Sequence, residues 1–454
     1  MTIIYLAFAL SWTYRLYLLS ATSMVIVYDG ATFQGLAKII YDGGWVAYFQ
    51  TGPHNEPVYP FMVVTAMRLA GHLPCCYEKI LACMQLAFLA TSQILALALL
   101  KKLKIHKILI AAAVFYMGMS PALVNAALSH WSEIAALPLV LGFILVCALV
   151  YEHKESASTK TMLILGAGIA LVSMGLVCVK ALFEYILPVC FFPFIWAGFK
   201  SLVENNPKTF KNMAVFLLLA LFSFYSFIYA YKSINRHYNG HFMMADRGPY
   251  IIYGNVVKRS NPISARSFLA GLAFIPGDGV CNKIFSAQEC DYWTLEKVDY
   301  FGQTKLKQLQ KDNVPEAAQD QLLLDLARQE ILKRPLQFAA LTALEGLKIF
   351  FWESTHVGFV RYPPALTRLF NTTLFKNGLR LAMALATFIA FWFSVRYVCI
   401  TRQPPASILF MVWLIVPFAA FYSLFYIHTR YCFPIAPLYL VLIAFWVQQR
   451  FVKT

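Results

Sequence analysis

ILACMQLAFLATSQILALALL, residues 80–100, holds no charged side chain and matches the ~20 residues a helix needs to cross a hydrocarbon core. It runs into KKLKIHK, residues 101–107, and a second apolar run starts directly behind that basic stretch. The same alternation recurs along the chain: 60% of its 454 residues are hydrophobic and 13% charged, and the mean hydropathy is +0.62. That composition excludes an ordinary soluble domain and defines an all-α polytopic membrane protein. The net charge of +16 lies largely in short segments between apolar runs, so it records topology and not affinity for nucleic acid.

Outward from this run, spans are expected at about residues 1–20, 108–119, 132–150, 161–179, 181–198, 213–231, 377–393, 406–426 and 433–447, with a break at Ser120-Pro121. The bundle therefore has about ten transmembrane helices with both ends cytoplasmic. The first run is expected to be a span and not a cleaved signal, because no basic n-region opens it and no small-x-small site precedes Asp29. Residues 57–71, with Arg68 inside, fall short of a crossing and read as an interfacial helix. Residues 335–352 are long enough to cross but carry Glu345 and Lys348 in the middle. A crossing there would put Arg396 and Arg402 outside, so the run is expected to stay at the external surface. The segment SPALVNAALSHWSE, residues 120–133, falls between two spans and is expected to be external. The chain thus divides into an N-terminal core, 1–231, with a first external loop at 21–77; an external segment with interfacial helices, 232–376; and C-terminal spans, 377–454. The external segment has a helical stretch near 314–333, and Cys281 and Cys290 are placed to pair in an oxidising compartment.

The first external loop carries the chemistry. In YDGATFQGLAKIIYDGGWVAYFQTGPHNEPVYP, residues 28–60, Asp29 precedes an amphipathic helix whose apolar face is Phe33, Leu36, Ala37, Ile40 and Tyr41. Gly43 and Gly44 are expected to end that helix, and Pro53, Pro57 and Pro60 to keep the chain from continuing it. By the span count, Asp29, Asp42, Glu56, Glu133, Lys180, Glu184, His428 and Arg430 share one membrane face. Ionisable groups at that depth mark a functional cavity. Carboxylates beside cations at lipid level suit transfer of a group from a lipid phosphate: the acceptor needs a general base and the departing phosphate needs positive charge. The histidines lack metal-ligand spacing and no metal ligand set is assigned, although acids near a phosphate could hold a divalent ion. Asp42 reads as the solvated face of its helix. Arg15 has no partner fixed by the sequence, Glu133 and Asp29 being two possibilities. Trp45, Tyr48, Phe49, Tyr59 and Trp131 suit an interfacial belt or, alternatively, a sugar or isoprenoid surface.

An Arg-containing first span, an external Asp opening an amphipathic helix, EPVYP at 56–60 before a helix ending in Gly71, SHWSE at 129–133, GLVCVKALFEYILP at 175–188 and HTRYCFPIAPLYL at 428–440 follow one another along nearly the whole chain. In that order they resemble the GT-C membrane glycosyltransferases, in pattern most like the protein O-mannosyltransferases, which use dolichyl-phosphate mannose, and the lipid A aminoarabinose transferase. The resemblance implies a GT-C-like bundle and an inverting transfer of sugar from a polyprenyl-phosphate donor at the non-cytoplasmic face. It implies Asp29 as general base, Lys180 and Arg430 near the donor phosphate, and Glu56, Glu133 and Tyr431 in substrate contact. Gly30 stands where the mannosyltransferases carry a second acid, a departure from protein mannosylation in particular. The acceptor, whether lipid, glycan or protein, is left open, and a bacterial inner membrane with a periplasmic site is the expected setting. The alternatives are a lipid-linked oligosaccharide polymerase or ligase and a transporter or flippase.

Overall fold

A computed structural model describes residues 2–52, 55–245, 248–355 and 357–452. Among the described residues nine helices are long and apolar enough to cross a membrane: Thr2–Ala21, Tyr77–Lys102, Glu133–His153, Thr159–Val179, Phe183–Val203, Pro207–Asn239, Thr373–Ile400, Ala406–Leu424 and Thr429–Phe451. Lys107–Met119 and Pro121–Leu128, bent by 42° where Pro121 has no N–H to continue the ladder, make a tenth when taken as one span. The chain is an integral multi-pass membrane protein, an all-α bundle. Its long helices pair as a connected sheaf: Pro207–Asn239 along Thr159–Val179, Thr2–Ala21 against Lys107–Met119, Tyr77–Lys102 against Glu133–His153, and Thr373–Ile400 against Ala436–Phe451.

Alternation of direction sorts the polar residues to two ends. At one end Lys102 pairs with Glu152, the His106 amide donates to Gln448 Oε1 at 2.9 Å, and Asn212 Nδ2 donates to the Lys154 carbonyl at 3.0 Å. The other end gathers the acids of the first loop and is called the site end below.

One expectation for the site-end connections needs correction. The helix opened by Asp29 does not stop at Gly43-Gly44; it kinks at Gly44 (φ 72°, ψ −170°) and resumes to Gln50. Glycine at positive φ bends a helix as readily as it ends one, and the apolar turn beyond it packs inward, with Tyr48 buried and its hydroxyl bonded to the Asn55 carbonyl. Phe33, Leu36, Ala37 and Ile40 are buried as the pattern requires, whereas Tyr41 is exposed. The Asp29 helix is not continued past Gln50, and residues 57–71 form the separate helix expected there, Val58–Ala70, with Pro57 as its N-cap and Pro60 in its first turn, where no intrahelical N–H is needed. Pro53 lies outside the described residues. Residues 122–133, in the segment expected to be external, are buried throughout.

Arg15 pairs with neither acid. It is fully buried within the first span, donates to Gln93 Oε1 at 2.7 Å and lies 4.5 Å from the Trp12 ring centroid.

The inserted segment between Asn239 and Thr373 folds as short helices, Gly248–Ser260, Ala265–Phe274, Asp278–Ile284, Ala287–Asp291, Leu295–Lys311, Glu316–Lys333 and Pro335–Gly346 among them. Cys281 and Cys290 are joined as a disulfide beside Trp293 and Ala270. Gly248–Ser260 crosses Leu295–Lys311 at two glycines, and a Cβ on Gly254 would meet the Val298 carbonyl oxygen at 2.2 Å. Backbone cannot yield as a side chain can. Gly254→Ala is therefore expected to destabilise this helix pair by about 1–3 kcal/mol, read as a lower thermal midpoint in detergent; an unchanged midpoint would contradict the close crossing.

Residues 335–352 form the helix Pro335–Gly346 and a 3-10 turn, Leu347–Phe350, and are not among the nine spans. Glu345 finds its partners on Gly248–Ser260, accepting from Lys258 Nζ at 2.7 Å and from Arg259, and Lys348 Nζ stands 3.5 Å from the same carboxylate without a hydrogen bond. All four side chains are buried. Arg259 also reaches the Ser423 carbonyl, so the cluster fastens the inserted segment to the end of Ala406–Leu424. Burial brings the Lys258 pKa down to about 8 from its ordinary 10.5; Glu345 opposes the shift and Lys348 and Arg259 add to it. Between pH 8 and 10.5 the unfolded chain then binds a proton that the folded chain does not, so folding stability rises with pH across that window. Thermal midpoints at pH 7.5 and 10 are expected to show a smaller alkaline gain in Lys258→Met than in the parent; equal gains would contradict this.

Candidate functional site

The first span ends at Ala21, and Ser23–Met24 pairs antiparallel with Val360–Arg361, the Val25 amide donating to the Phe359 carbonyl at 3.0 Å. This short ladder holds the chain just before the Asp29 helix. The next residues make a tight turn: the Gly30 amide donates to the Val27 carbonyl at 3.0 Å, and Tyr28 adopts φ 50°, ψ −124°. Those angles are close to the first central position of a type II′ turn, about +60° and −120°, where glycine is the usual residue. For a residue with a Cβ the conformation costs of order 1–3 kcal/mol.

The turn presents Asp29 to a second segment from the far end of the sequence. His428–Ile435 follows the helix Ala406–Leu424, and Arg430 on it makes an ion pair with Asp29. The Arg430 guanidinium also lies 5.7 Å from the Trp131 ring centroid and 5.3 Å from that of Tyr431. A second pair sits alongside. Lys180, in extended backbone where Thr159–Val179 has ended, donates to Glu133 Oε1 at 3.0 Å and stands 5.8 Å from the Tyr431 ring. Glu133 opens its own helix, where the dipole favours an acid. Glu56 accepts from the Ala181 amide at 2.8 Å, adjacent to Lys180.

Asp29, Glu56, Glu133, Lys180, Arg430 and Tyr431 are thus brought together from five separate segments. Asp42 is exposed on the outer side of its helix, away from them, and Glu184 pairs with Lys232 at 2.5 Å. The aromatic side chains divide: Tyr59 is buried against Phe33 and bonded to Gln85, Trp45 stacks on Phe61, and Trp131 lies under the Arg430 guanidinium.

Burial works against the charge on Lys180, but Glu133 and Glu56 outweigh it and raise its pKa, so it stays an ammonium. His428 is the reverse case. Burial, with Arg430 and Lys348 close by, lowers its pKa to about 3 against the pull of Asp29, and its Nδ1 accepts from the Arg430 amide at 3.3 Å. A neutral ring used to cap a turn is no proton carrier near neutral pH. Exposure separates the two paired carboxylates: the Asp29 side chain is 31% exposed and that of Glu133 only 3%. Asp29 is the one an incoming group can reach. Among the described residues no group of three His, Cys, Asp or Glu side chains is arranged to hold a metal ion.

No protein-family model, curated protein or solved structure matches this chain.

Two features escape the sequence. The Lys258, Arg259, Glu345 and Lys348 cluster borders the site, the Lys348 carbonyl lying 4.0 Å from Cys432 Sγ and its ammonium 5.0 Å from the Tyr426 ring. Glu345 and Lys348 stand out as charges in an apolar run, yet nothing in the run points to Lys258-Arg259. Glu353 is the other: fully buried, it accepts from Tyr116 and Ser120 hydroxyls at 2.7 Å and from the Ala122 amide at 2.9 Å, fixing the bent span. Burial raises its pKa.

Proposed function

We propose that the chain is an inverting glycosyltransferase that moves a sugar from a polyprenyl-phosphate donor to an acceptor at the site end of the bundle. Asp29 removes the proton from the acceptor, and Lys180 and Arg430 face the phosphate that leaves. What carries this reading is one observation: a partly exposed carboxylate on a strained turn, ion-paired with an arginine from the other end of the chain, beside a second buried acid-lysine pair. The arrangement offers a base and positive charge together at lipid level, as general-base attack with departure of a phosphate requires. The order of the segments that supply these groups agrees with the GT-C glycosyltransferases. The site end is, on this reading, the non-cytoplasmic face of a bacterial inner membrane, because the opposite end carries the basic loops at Lys101, Lys102, Lys104 and Lys107.

The test uses the purified full chain in liposomes with polyprenyl-phosphate sugars added to the bilayer and a heat-treated envelope extract of lipid, glycan and protein supplied as the source of acceptors. Release of free polyprenyl phosphate, faster than in liposomes without protein, is the expected result. Movement of the intact donor across the bilayer with no cleavage would support a flippase instead.

A further inference from the structure

Tyr28 is anomalous on three counts. Its backbone occupies a turn position suited to glycine, its side chain is 80% exposed, and among the described residues its ring contact is an outlying one with Phe359, at 6.3 Å between centroids. A strained residue is normally held in place by the packing of its side chain; this one contributes little packing in return. What it does have is position. Phe359 lies 4.6 Å from Trp131, and Trp131 lies under Arg430, which holds Asp29. Three rings thus lead from the surface to the ion pair, with Tyr28 outermost and next in sequence to Asp29.

We propose that Tyr28 contacts the substrate, its ring forming the outer wall of the Asp29 site and packing on the face of a sugar ring. The inference rests on the glycosyl-transfer reading and deepens it: the ligand at this wall is a carbohydrate. A pyranose offers an apolar C–H face to an aromatic ring and hydroxyls at its edge. Asp29, next to Tyr28 in sequence, and Arg430, which pairs with it, suit those hydroxyls, whereas an isoprenoid tail would offer them no partner. Anchoring at the membrane interface requires no such turn, since Tyr41 and Trp45 are exposed on ordinary helix.

The substitutions separate ring from turn. Tyr28→Gly removes the ring and relieves the backbone, Tyr28→Ala removes the ring alone, and Tyr28→Phe keeps both ring and strain. Each form is expressed in cells, and sugar increments on lipid, glycan and protein fractions are read by mass spectrometry, with thermal midpoints of the detergent-solubilised chain. Tyr28→Gly is expected to have a midpoint at or above the parent's and an increment lower by about threefold or more, the scale of one lost aromatic contact. Tyr28→Ala should lose as much increment, and Tyr28→Phe should recover most of it. A Tyr28→Gly increment equal to the parent's at equal expression would overturn the substrate contact, as would a clearly lower midpoint, which would make the ring a strut of the fold. No increment from the parent itself would overturn the glycosyl-transfer reading and the sugar contact with it.

Discussion

Replacing Asp29 with Asn is expected to leave the chain folded and to reduce sugar transfer by about 10²–10⁴-fold, the usual contribution of a positioned general base. Asn keeps the shape of the side chain and can still accept at the start of the helix, but it cannot take a proton. The structural loss includes the ion pair with Arg430. Because the Asp29 side chain is 31% exposed, solvent screens that pair, and it contributes about 1 kcal/mol or less to stability. Arg430 keeps its contacts with Trp131 and Tyr431. A thermal midpoint near the parent's with transfer lost is therefore the expected combination. Transfer retained by Asp29→Asn would move the base elsewhere, and Glu56 is the next carboxylate to test.

Glu345→Gln is expected to be the most destabilising single change, by about 3–5 kcal/mol, the range for breaking a buried pair from one side. Glu345 is the one acid among Lys258, Arg259 and Lys348, and all four are withdrawn from water. Without it three cations face one another across the joint between the inserted segment and the helix Ala406–Leu424. The midpoint should fall steeply, and limited proteolysis should cut first between Gly248 and Gly346. Adding Lys348→Met should restore part of the loss, because Lys348 Nζ has no hydrogen bond to give up. A midpoint unchanged in Glu345→Gln would mean that the cluster does not hold this joint.

The spans were readable because their apolar runs are long and their ends basic, and alternation of direction alone puts residues 29, 56, 133, 180 and 430 at one end. Contact between them was a weaker expectation, carried by a resemblance and not by any spacing. What the sequence hid has local causes. Gly44 bends its helix because glycine at positive φ serves a kink and a cap equally, and the choice is made by Tyr48 packing beyond it. Arg15 looked as though it needed an acid; a buried amide, Gln93, reached it first. The strained turn at Tyr28 is invisible because turn rules look for glycine at that position. Lys258-Arg259 and Glu345 are far apart in sequence, and only packing of the inserted helices joins them.

The measurement that bears most directly on the central claim compares cells with the intact protein, with Asp29→Asn and with neither, by mass spectrometry of their lipid, glycan and protein fractions. A single sugar increment in one fraction, present only with the intact protein, is the expected result. An increment of equal size with Asp29→Asn would contradict Asp29 as the base, and no increment in any fraction would contradict sugar transfer itself.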